Sequence, residues 1–249
     1  MKIITLNAWD GRGGTTALLN FFKNWQDVDI FCLQEIFNGG ENDVDEVKSN
    51  VPEKEYRLFT LITEALPTHQ GFFRPSLKDF YGLAMFVKKN ITIVEEGVYF
   101  VHQYQGYVPD DDIRCHARNI QYIKTEINGK QTAVMNFHGL WNGNGKTDTE
   151  DRIQQSTNIL HITKNISENF VLCGDFNLLP DTKSIKMLEA VGLRNLIKEY
   201  GITSTRTSYY MKPDRYADYV FVTAGLEVTD FKALPEEVSD HAPLYTEVT

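Results

Sequence analysis

The chain has 249 residues, 42% of them hydrophobic, and 34 acidic against 25 basic side chains give a formal net charge of −9. That length allows one or two domains with a sizeable core. The acidic balance argues against tight duplex nucleic-acid binding by phosphate neutralisation alone, but not against a brief encounter through a bound metal.

Residues 2–7 read as a first strand, and Asp10-Gly11-Arg12-Gly13-Gly14 as a loop. Thr15 or Thr16 is placed to cap a helix whose apolar face is Leu18, Leu19, Phe22 and Trp25. Asp29 to Glu35 is a second buried strand that ends in a carboxylate. Residues 38–55 are polar and acidic, broken by Asn38-Gly39-Gly40, and helix follows around 55–65. Residues 81–88 and 91–101 read as two strands of a hairpin turning at Lys89-Asn90. Residues 102–114, with Pro109 and Asp110-Asp111-Asp112, form the least regular stretch. Strands near 117–127 and 131–138 are joined by Asn128-Gly129, a strong hairpin signal. Thr147 and Glu150 fit a capping box, followed by a helix with Ile153, Thr157 and Leu160 on one face. A buried strand covers 170–175, then a helix near 182–191 closed by Gly192. Strands near 216–222, 226–232 and 241–247 complete the chain.

No repeat, low-complexity tract or linker interrupts this order, so residues 1–249 read as one domain, a mixed-sheet α/β sandwich, taken as a monomer. Cys32, Cys115 and Cys173 form an odd set without a C-x-x-C spacing, and Cys32 and Cys173 lie in apolar runs as core residues of a reducing compartment. No signal-peptide pattern and no apolar run of membrane-spanning length occurs, so a cytoplasmic protein without an integral membrane segment is the expectation.

The strand ends carry the chemistry. Asn7 follows Ile3-Ile4-Thr5-Leu6, Glu35 closes the second strand, and His138 follows Thr132 to Phe137. Phe170-Val171-Leu172-Cys173-Gly174 runs straight into Asp175, Phe176 and Asn177. Asp218 precedes Tyr219-Val220-Phe221-Val222, and Asp240-His241 precedes Ala242-Pro243-Leu244-Tyr245. In extended chain Asp175 and Asn177, two apart, aim at the same small volume. Taken singly, each group has a plainer reading as a turn former or a hydrogen-bonded structural residue. Together they gather carboxylates, amides and two histidines where loops meet over a sheet. Clustered carboxylates repel and raise one another's pKa unless a cation sits among them. Oxygen donors from Glu, Asp and Asn suit Mg²⁺ or Mn²⁺, and the Cys/His spacing of a zinc site is missing. Mg²⁺ held by a few carboxylates plus substrate phosphate points to phosphoester chemistry.

One lookalike is set aside. Gly143-Asn144-Gly145-Lys146-Thr147 lies between a strand and a helix, but a P-loop needs Gly at position 140, where the chain has Leu140. The segment reads as a loop over the site.

Leu6-Asn7-Ala8-Trp9, Leu33-Gln34-Glu35, Asn136-Phe137-His138, Gly174-Asp175-Phe176-Asn177, Asp218-Tyr219-Val220-Phe221 and Ser239-Asp240-His241 resemble, in order and nearly end to end, the motifs of the endonuclease/exonuclease/phosphatase superfamily. The resemblance implies a four-layer α/β sandwich of two mixed β-sheets flanked by helices, with the site at one edge. It implies a metal-dependent hydrolase cleaving phosphodiester bonds, nuclease-like, acting on DNA, RNA or a small diester. It implies Mg²⁺ (or Mn²⁺) on Glu35, with Asn7 and Asp240 in or near the shell. Asp175 and Asn177 would meet the scissile phosphate, orienting or activating the attacking water. His241, paired with Asp218, would be an acid/base or phosphate-stabilising group, and His138 and Arg118 would be further phosphate contacts.

The branch is less defined. His138 stands where abasic-site endonucleases carry tyrosine, and Lys212-Pro213-Asp214-Arg215-Tyr216-Ala217-Asp218 departs from the Pro-Ala-Trp-x-Asp-Arg-Ile segment of inositol 5-phosphatases. Asn7-Ala8-Trp9-Asp10-Gly11 resembles the sphingomyelinase opening, without an aromatic membrane hairpin. Trp141 is placed to stack on a substrate ring, or to fill a loop. Asp110-Asp111-Asp112 and the acidic run Glu41 to Glu46 would repel a long polyanion if they border the cleft, which favours a small diester or single strand. The alternatives are a phosphomonoesterase or a phospholipid- or sphingomyelin-type phosphodiesterase acting on a headgroup, and a non-catalytic binding module on the same fold.

Overall fold

The apolar runs assemble into two six-stranded mixed sheets. A computed structural model describes residues 1–40, 53–127, 129–166 and 169–249. In the first sheet, β1 (Lys2–Asn7) and β2 (Ile30–Phe37) run parallel at the centre. They are flanked by β3 (His69–Leu77) and β4 (Tyr81–Lys88) on one side. β11 (Val228–Ala233) and β12 (Leu244–Val248) lie on the other, in the order β11-β12-β1-β2-β4-β3. The second sheet is built from β5 (Ile93–His102), β6 (Arg118–Ile127), β7 (Lys130–His138) and β8 (Asn169–Asp175). β10 (Asp218–Val222) and β9 (Arg194–Asn195) extend it, in the order β5-β6-β7-β8-β10-β9, with β7 and β8 parallel.

Helices α1 (Thr15–Asn24) and α2 (Leu58–Ala65) cover the first sheet: Leu18, Phe22, Leu58 and Ile62 share a core cluster with Ile4, Leu6, Phe31 and Leu33. Helices α3 (Glu150–Lys164) and α4 (Lys183–Ala190), with a short α5 (Leu196–Glu199), serve the second sheet. Ile159, Ile185 and Leu188 belong with Ile3, Ile30, Cys32, Val134 and Leu172 in a second cluster. With both faces covered, the central strands are apolar throughout rather than alternating. The expected four-layer sandwich is therefore the fold. Among the described residues no helix is long and apolar enough to cross a membrane.

Several local expectations are corrected. β4 and β5 are not a hairpin: they lie in different sheets. β4 is already bonded on both edges, to β2 and β3, so the chain after Lys88 has no free edge to pair with there. Its true hairpin partner, β3, escapes the sequence pattern because it is an edge strand that carries Gly71 and Pro75. α1 starts after Gly14, without a side-chain cap from either threonine. α3 is capped by Thr149, whose side chain accepts from the Arg152 N–H, not by Thr147. Its buried face is Arg152, Gln155, Ser156, Ile159 and Thr163, offset from the apolar stripe that the sequence suggests. That face is polar because it holds a loop. Arg152 donates to the carbonyls of Leu140 (3.1 Å) and Thr147 (2.6 Å), and Gln155 accepts from the Leu140 N–H (3.0 Å). The β6–β7 connection follows the hairpin expectation. Asn128 and the acidic run Glu41 to Glu46 lie outside the described residues.

Candidate active site

Strand register builds the floor of the site. His138 ends β7 opposite Asp175 at the end of β8, and Asp175 pairs in turn with Asp218 at the start of β10. The three polar groups thus stand in one row across three strands. Gly174 makes this approach possible: its φ is +137°, and a Cβ there would lie 1.9 Å from the Phe137 carbonyl oxygen. In the first sheet, β2 does not stop at Glu35. It runs on to Phe37, with a register shift between Leu33 and Ile36 and a left-handed φ of 55° at Glu35 that re-aims the carboxylate. Beneath the floor, a polar seam joins the sheets. Gln34 Nε2 donates to Asn136 Oδ1 at 2.6 Å, and Asn136 Nδ2 donates to the carbonyls of Leu33 and Ala84.

Asn7 spans the two sheets. Its Nδ2 donates to Glu35 Oε1 at 3.0 Å and to Asp175 Oδ2 at 2.9 Å, while its Oδ1 accepts the Trp9 N–H. Asn7, expected in or near the metal shell, thus bridges the Glu35 and Asp175 carboxylates. Asp175 Oδ1 accepts the Asn177 N–H at 2.8 Å, and Asn177 has a left-handed φ of 55°. The two side chains therefore share the cleft through a tight turn rather than through extended alternation. Asn177 Nδ2 donates to the Gly139 carbonyl.

Two histidines flank Asp175 with opposite electrostatics. His241 Nδ1 is 2.9 Å from both oxygens of Asp218, and its Nε2 lies 3.6 Å from Asp175 Oδ2 and 3.7 Å from Asp240 Oδ1. Burial works against its charge and Arg206 adds to that. Asp218, Asp240 and Asp175 outweigh both, and the imidazole holds its proton above the ordinary histidine range. His138 Nε2 lies 3.8 Å from Glu35 and from Asp175, but burial, then the Arg118 guanidinium, push it down to about 3, so it is neutral. Burial alone would raise Asp175; His241 and the other surrounding cations reverse that and hold it below the usual carboxylate range. Glu35 goes the other way, pushed up to about 8 by burial and then by the Asp10 carboxylate. The expected mutual repulsion of carboxylates is thus concentrated on Glu35 and Asp10, itself raised to about 6 by burial, while His241, Arg206 and Lys146 relieve Asp175.

These groups open onto a cleft of about 780 Å³ that also takes in Arg118, Trp141, Asn177 and Asp240. Arg118 donates to the Arg114 carbonyl and meets His116 Nε2 at 2.9 Å, leaving its buried Nε without a partner. Asp218, 3% exposed, sits behind His241. Asp110 to Asp112 do not line the cleft; Asp112 pairs with Arg114, which does. Local charge therefore runs against the net charge, with Arg12, Lys54, Arg114, Lys146, Arg206 and Lys212 around the opening. Sequence reasoning passed over Asp10, Lys146 and Arg206. Asp10 follows the Asn7 strand end by three residues, a signal that was available. Lys146 sat inside the discounted P-loop lookalike. Arg206, which donates to Asp240 at 2.8 Å, lies among threonines and serines with nothing to mark it.

The donor set fits a hard divalent cation. Asp10 Oδ1, Asp240 Oδ1 and His138 Nε2 are buried at the cleft without hydrogen-bond partners, next to the acid-strained Glu35. Donor atoms of Glu35, His138 and Asp175 all lie within 4.8 Å of one another. Oxygen donors dominate, as Mg²⁺ or Mn²⁺ requires.

A sequence profile described as the Endonuclease/Exonuclease/phosphatase family matches residues 4–241. Among solved structures, a mannosyl-6-phosphatase of Bacteroides thetaiotaomicron is similar over 100% of this chain and 99% of its own, at 18% identity and a TM-score of 0.74. A functionally unknown conserved protein from Enterococcus faecalis is similar over 100% and 99%, at 18% identity and a TM-score of 0.75. The human Nocturnin catalytic domain, solved with bound sulfate, covers 100% and 94%, at 17% identity and a TM-score of 0.66. These likenesses are likenesses of fold. No curated protein sequence matches the chain.

Proposed function

The chain belongs to the endonuclease/exonuclease/phosphatase family, and on that footing we propose that it is a Mg²⁺- or Mn²⁺-dependent phosphodiesterase of the nuclease-like kind. Its substrate is a DNA or RNA strand or a small phosphodiester. One observation carries the reading: a buried carboxylate, Asp175, is bonded by Asn7 and the Asn177 N–H and flanked by His138 and by His241, whose Nδ1 is held by Asp218. Glu35 and Asp240, with Asp10, would hold the cation; when bound it supplies a Lewis acid for charge developing on the phosphate oxygens.

The remaining work falls to the chain's own residues. A carboxylate held below its usual range accepts a hydrogen bond well and a proton poorly, so Asp175 aligns the attacking water. His241, kept charged by Asp218, offers Nε2–H to a non-bridging oxygen of the phosphate. Arg118, which also lines the cleft, adds fixed positive charge. Neutral His138, its Nε2 free of protein partners, is the second group turned toward the phosphate.

A second reading, a phosphomonoesterase acting on a phosphorylated sugar or headgroup, is favoured by the bounded, cation-rimmed cleft, and by the similar structure named as a mannosyl-6-phosphatase. A panel of plasmid, single-stranded DNA, RNA, bis(4-nitrophenyl) phosphate and sugar phosphates, with and without Mg²⁺ or Mn²⁺, separates the two. Shortened strands or nitrophenol released only with metal support the diesterase. Inorganic phosphate released from sugar phosphates, with the diesters untouched, replaces it by the second reading.

A further inference from the structure

The phosphodiesterase mechanism leaves two buried cations of the cleft unused, Lys146 and Arg206. Lys146 is 3% exposed, lines the cleft, and among the described residues has no carboxylate partner. Its ammonium donates to the Tyr216 carbonyl at 3.0 Å and faces the Tyr210 ring at 4.8 Å. Arg206 lies 4.0 Å from the same ring. One arm of its guanidinium is committed to Asp240, while its Nε, in a side chain 4% exposed, has no partner. Lys212 completes the group from the rim, its ammonium 5.7 Å from the Trp141 ring.

Burying an ammonium against a carbonyl and a ring, beside a second cation, is costly without a counter-anion. The α3 clamp on Leu140 and Thr147 fixes the loop that presents Lys146, so the charge is held in place rather than left to relax. The scissile phosphate already has Arg118 and His241. A further fixed cation, an unused guanidinium N–H and an exposed lysine, all lining the same cleft, are the elements of a separate anion subsite.

We propose that Lys146, Arg206 and Lys212 receive a second phosphate carried by the same substrate, so that the preferred substrate is a phosphoester with a phosphate group beside the scissile one. This rests on the phosphoesterase reading of the cleft.

The test uses the full chain and three matched dinucleotides: thymidylyl-thymidine, its 5′-phosphorylated form and its 3′-phosphorylated form. Expected for the wild type is a kcat/KM on one phosphorylated member at least about tenfold above the unphosphorylated one. Lys146→Met is expected to bring that ratio close to one, Lys146→Arg to keep most of it, and Lys212→Ala, at an exposed position, to narrow it partly. A variant that merely folds poorly, or a lysine that only braces the Tyr216 carbonyl, lowers all three substrates equally and leaves the ratio intact. An intact ratio in Lys146→Met, or no preference in the wild type, overturns the proposal. Calorimetric binding of the same three dinucleotides in EDTA separates the two readings. No hydrolysis with a Lys146-dependent binding preference sinks the phosphodiesterase reading alone. Hydrolysis without preference sinks the second-phosphate subsite alone.

Discussion

The floor of the cleft and its rim are held by different means. Asn7, Asp175, Asp218 and His241 on or behind the floor are each no more than 4% exposed, the first three fixed by strand register and His241 by its hydrogen bond to Asp218. Trp141, Tyr210, Lys212 and Arg114 on the rim stand outside the strands and are partly or fully exposed. A group set by two paired strands has no alternative position, because a one-residue slip would turn every side chain of the strand over. A group on a loop moves at little cost. The floor is therefore expected to govern kcat, and the rim to govern which molecule is held there.

Asp175→Asn is the strongest way to break that division. The amide keeps the shape of the carboxylate but loses the charge that His241 faces and the strong acceptor for water. A fall in kcat of about 10³-fold or more is expected, with an unchanged circular dichroism spectrum. A loss under about tenfold would remove Asp175 from the chemistry and end the distinction between floor and rim.

Gly174→Ala tests whether register alone holds the floor. The added methyl would have to displace the Phe137 carbonyl, and alanine resists a φ of +137°. A destabilisation of roughly 3–5 kcal/mol is expected in urea unfolding, the large end of single-site effects. A stability within about 1 kcal/mol of wild type would show that β7 and β8 can part without harm.

The preference for a second phosphate should depend on pH. Burial, then Arg206, lowers Lys146 to about 8, against the opposing pull of Asp175, Asp218 and Asp214. Lysine is charged below its pKa, so the preference is full below about pH 8 and fades above it. Ratios of kcat/KM taken above about pH 7, where a phosphate monoester is mostly dianionic, isolate the lysine from the ligand. A ratio that stays flat to well above pH 8 would place the preference on Arg206 and Lys212 instead.

The same division explains what the sequence made legible. Strand-end groups stand out because an apolar run that stops at Asp175 or His138 is visible in one dimension, and sheet register then gathers such ends without further information. Which sheet a strand joins is not visible: residues 81–88 and 91–101 look like a hairpin, yet β4 is saturated on both edges. Glu35 was legible as a carboxylate but not as a bulge, since β2 stays apolar through Ile36 and Phe37. The rim was largely illegible. A net charge of −9 says nothing of a cleft ringed by Arg12, Lys54, Arg114 and Lys212, because most of the chain's acids lie outside it. The polar buried face of α3 carries no periodic apolar signal, although it is what fixes the loop bearing Lys146.

Trp141 is the smallest test and the most discriminating one for the rim. Its indole has Lys212 and Arg152 cations at 5.7 and 6.0 Å from the ring, and it is only partly buried, so little of the fold depends on it. If its face stacks on a substrate ring, Trp141→Ala should raise KM for dinucleotides by about five- to tenfold, while kcat stays within about twofold. Dimethyl phosphate, which has no ring, should be hydrolysed or bound equally well by both proteins. Trp141→Phe should recover most of the loss, because stacking needs a flat face and not the indole N–H. An equal loss on every substrate would mean that the tryptophan braces the loop through Arg152, and the rim would then belong to the same rigid assembly as the floor.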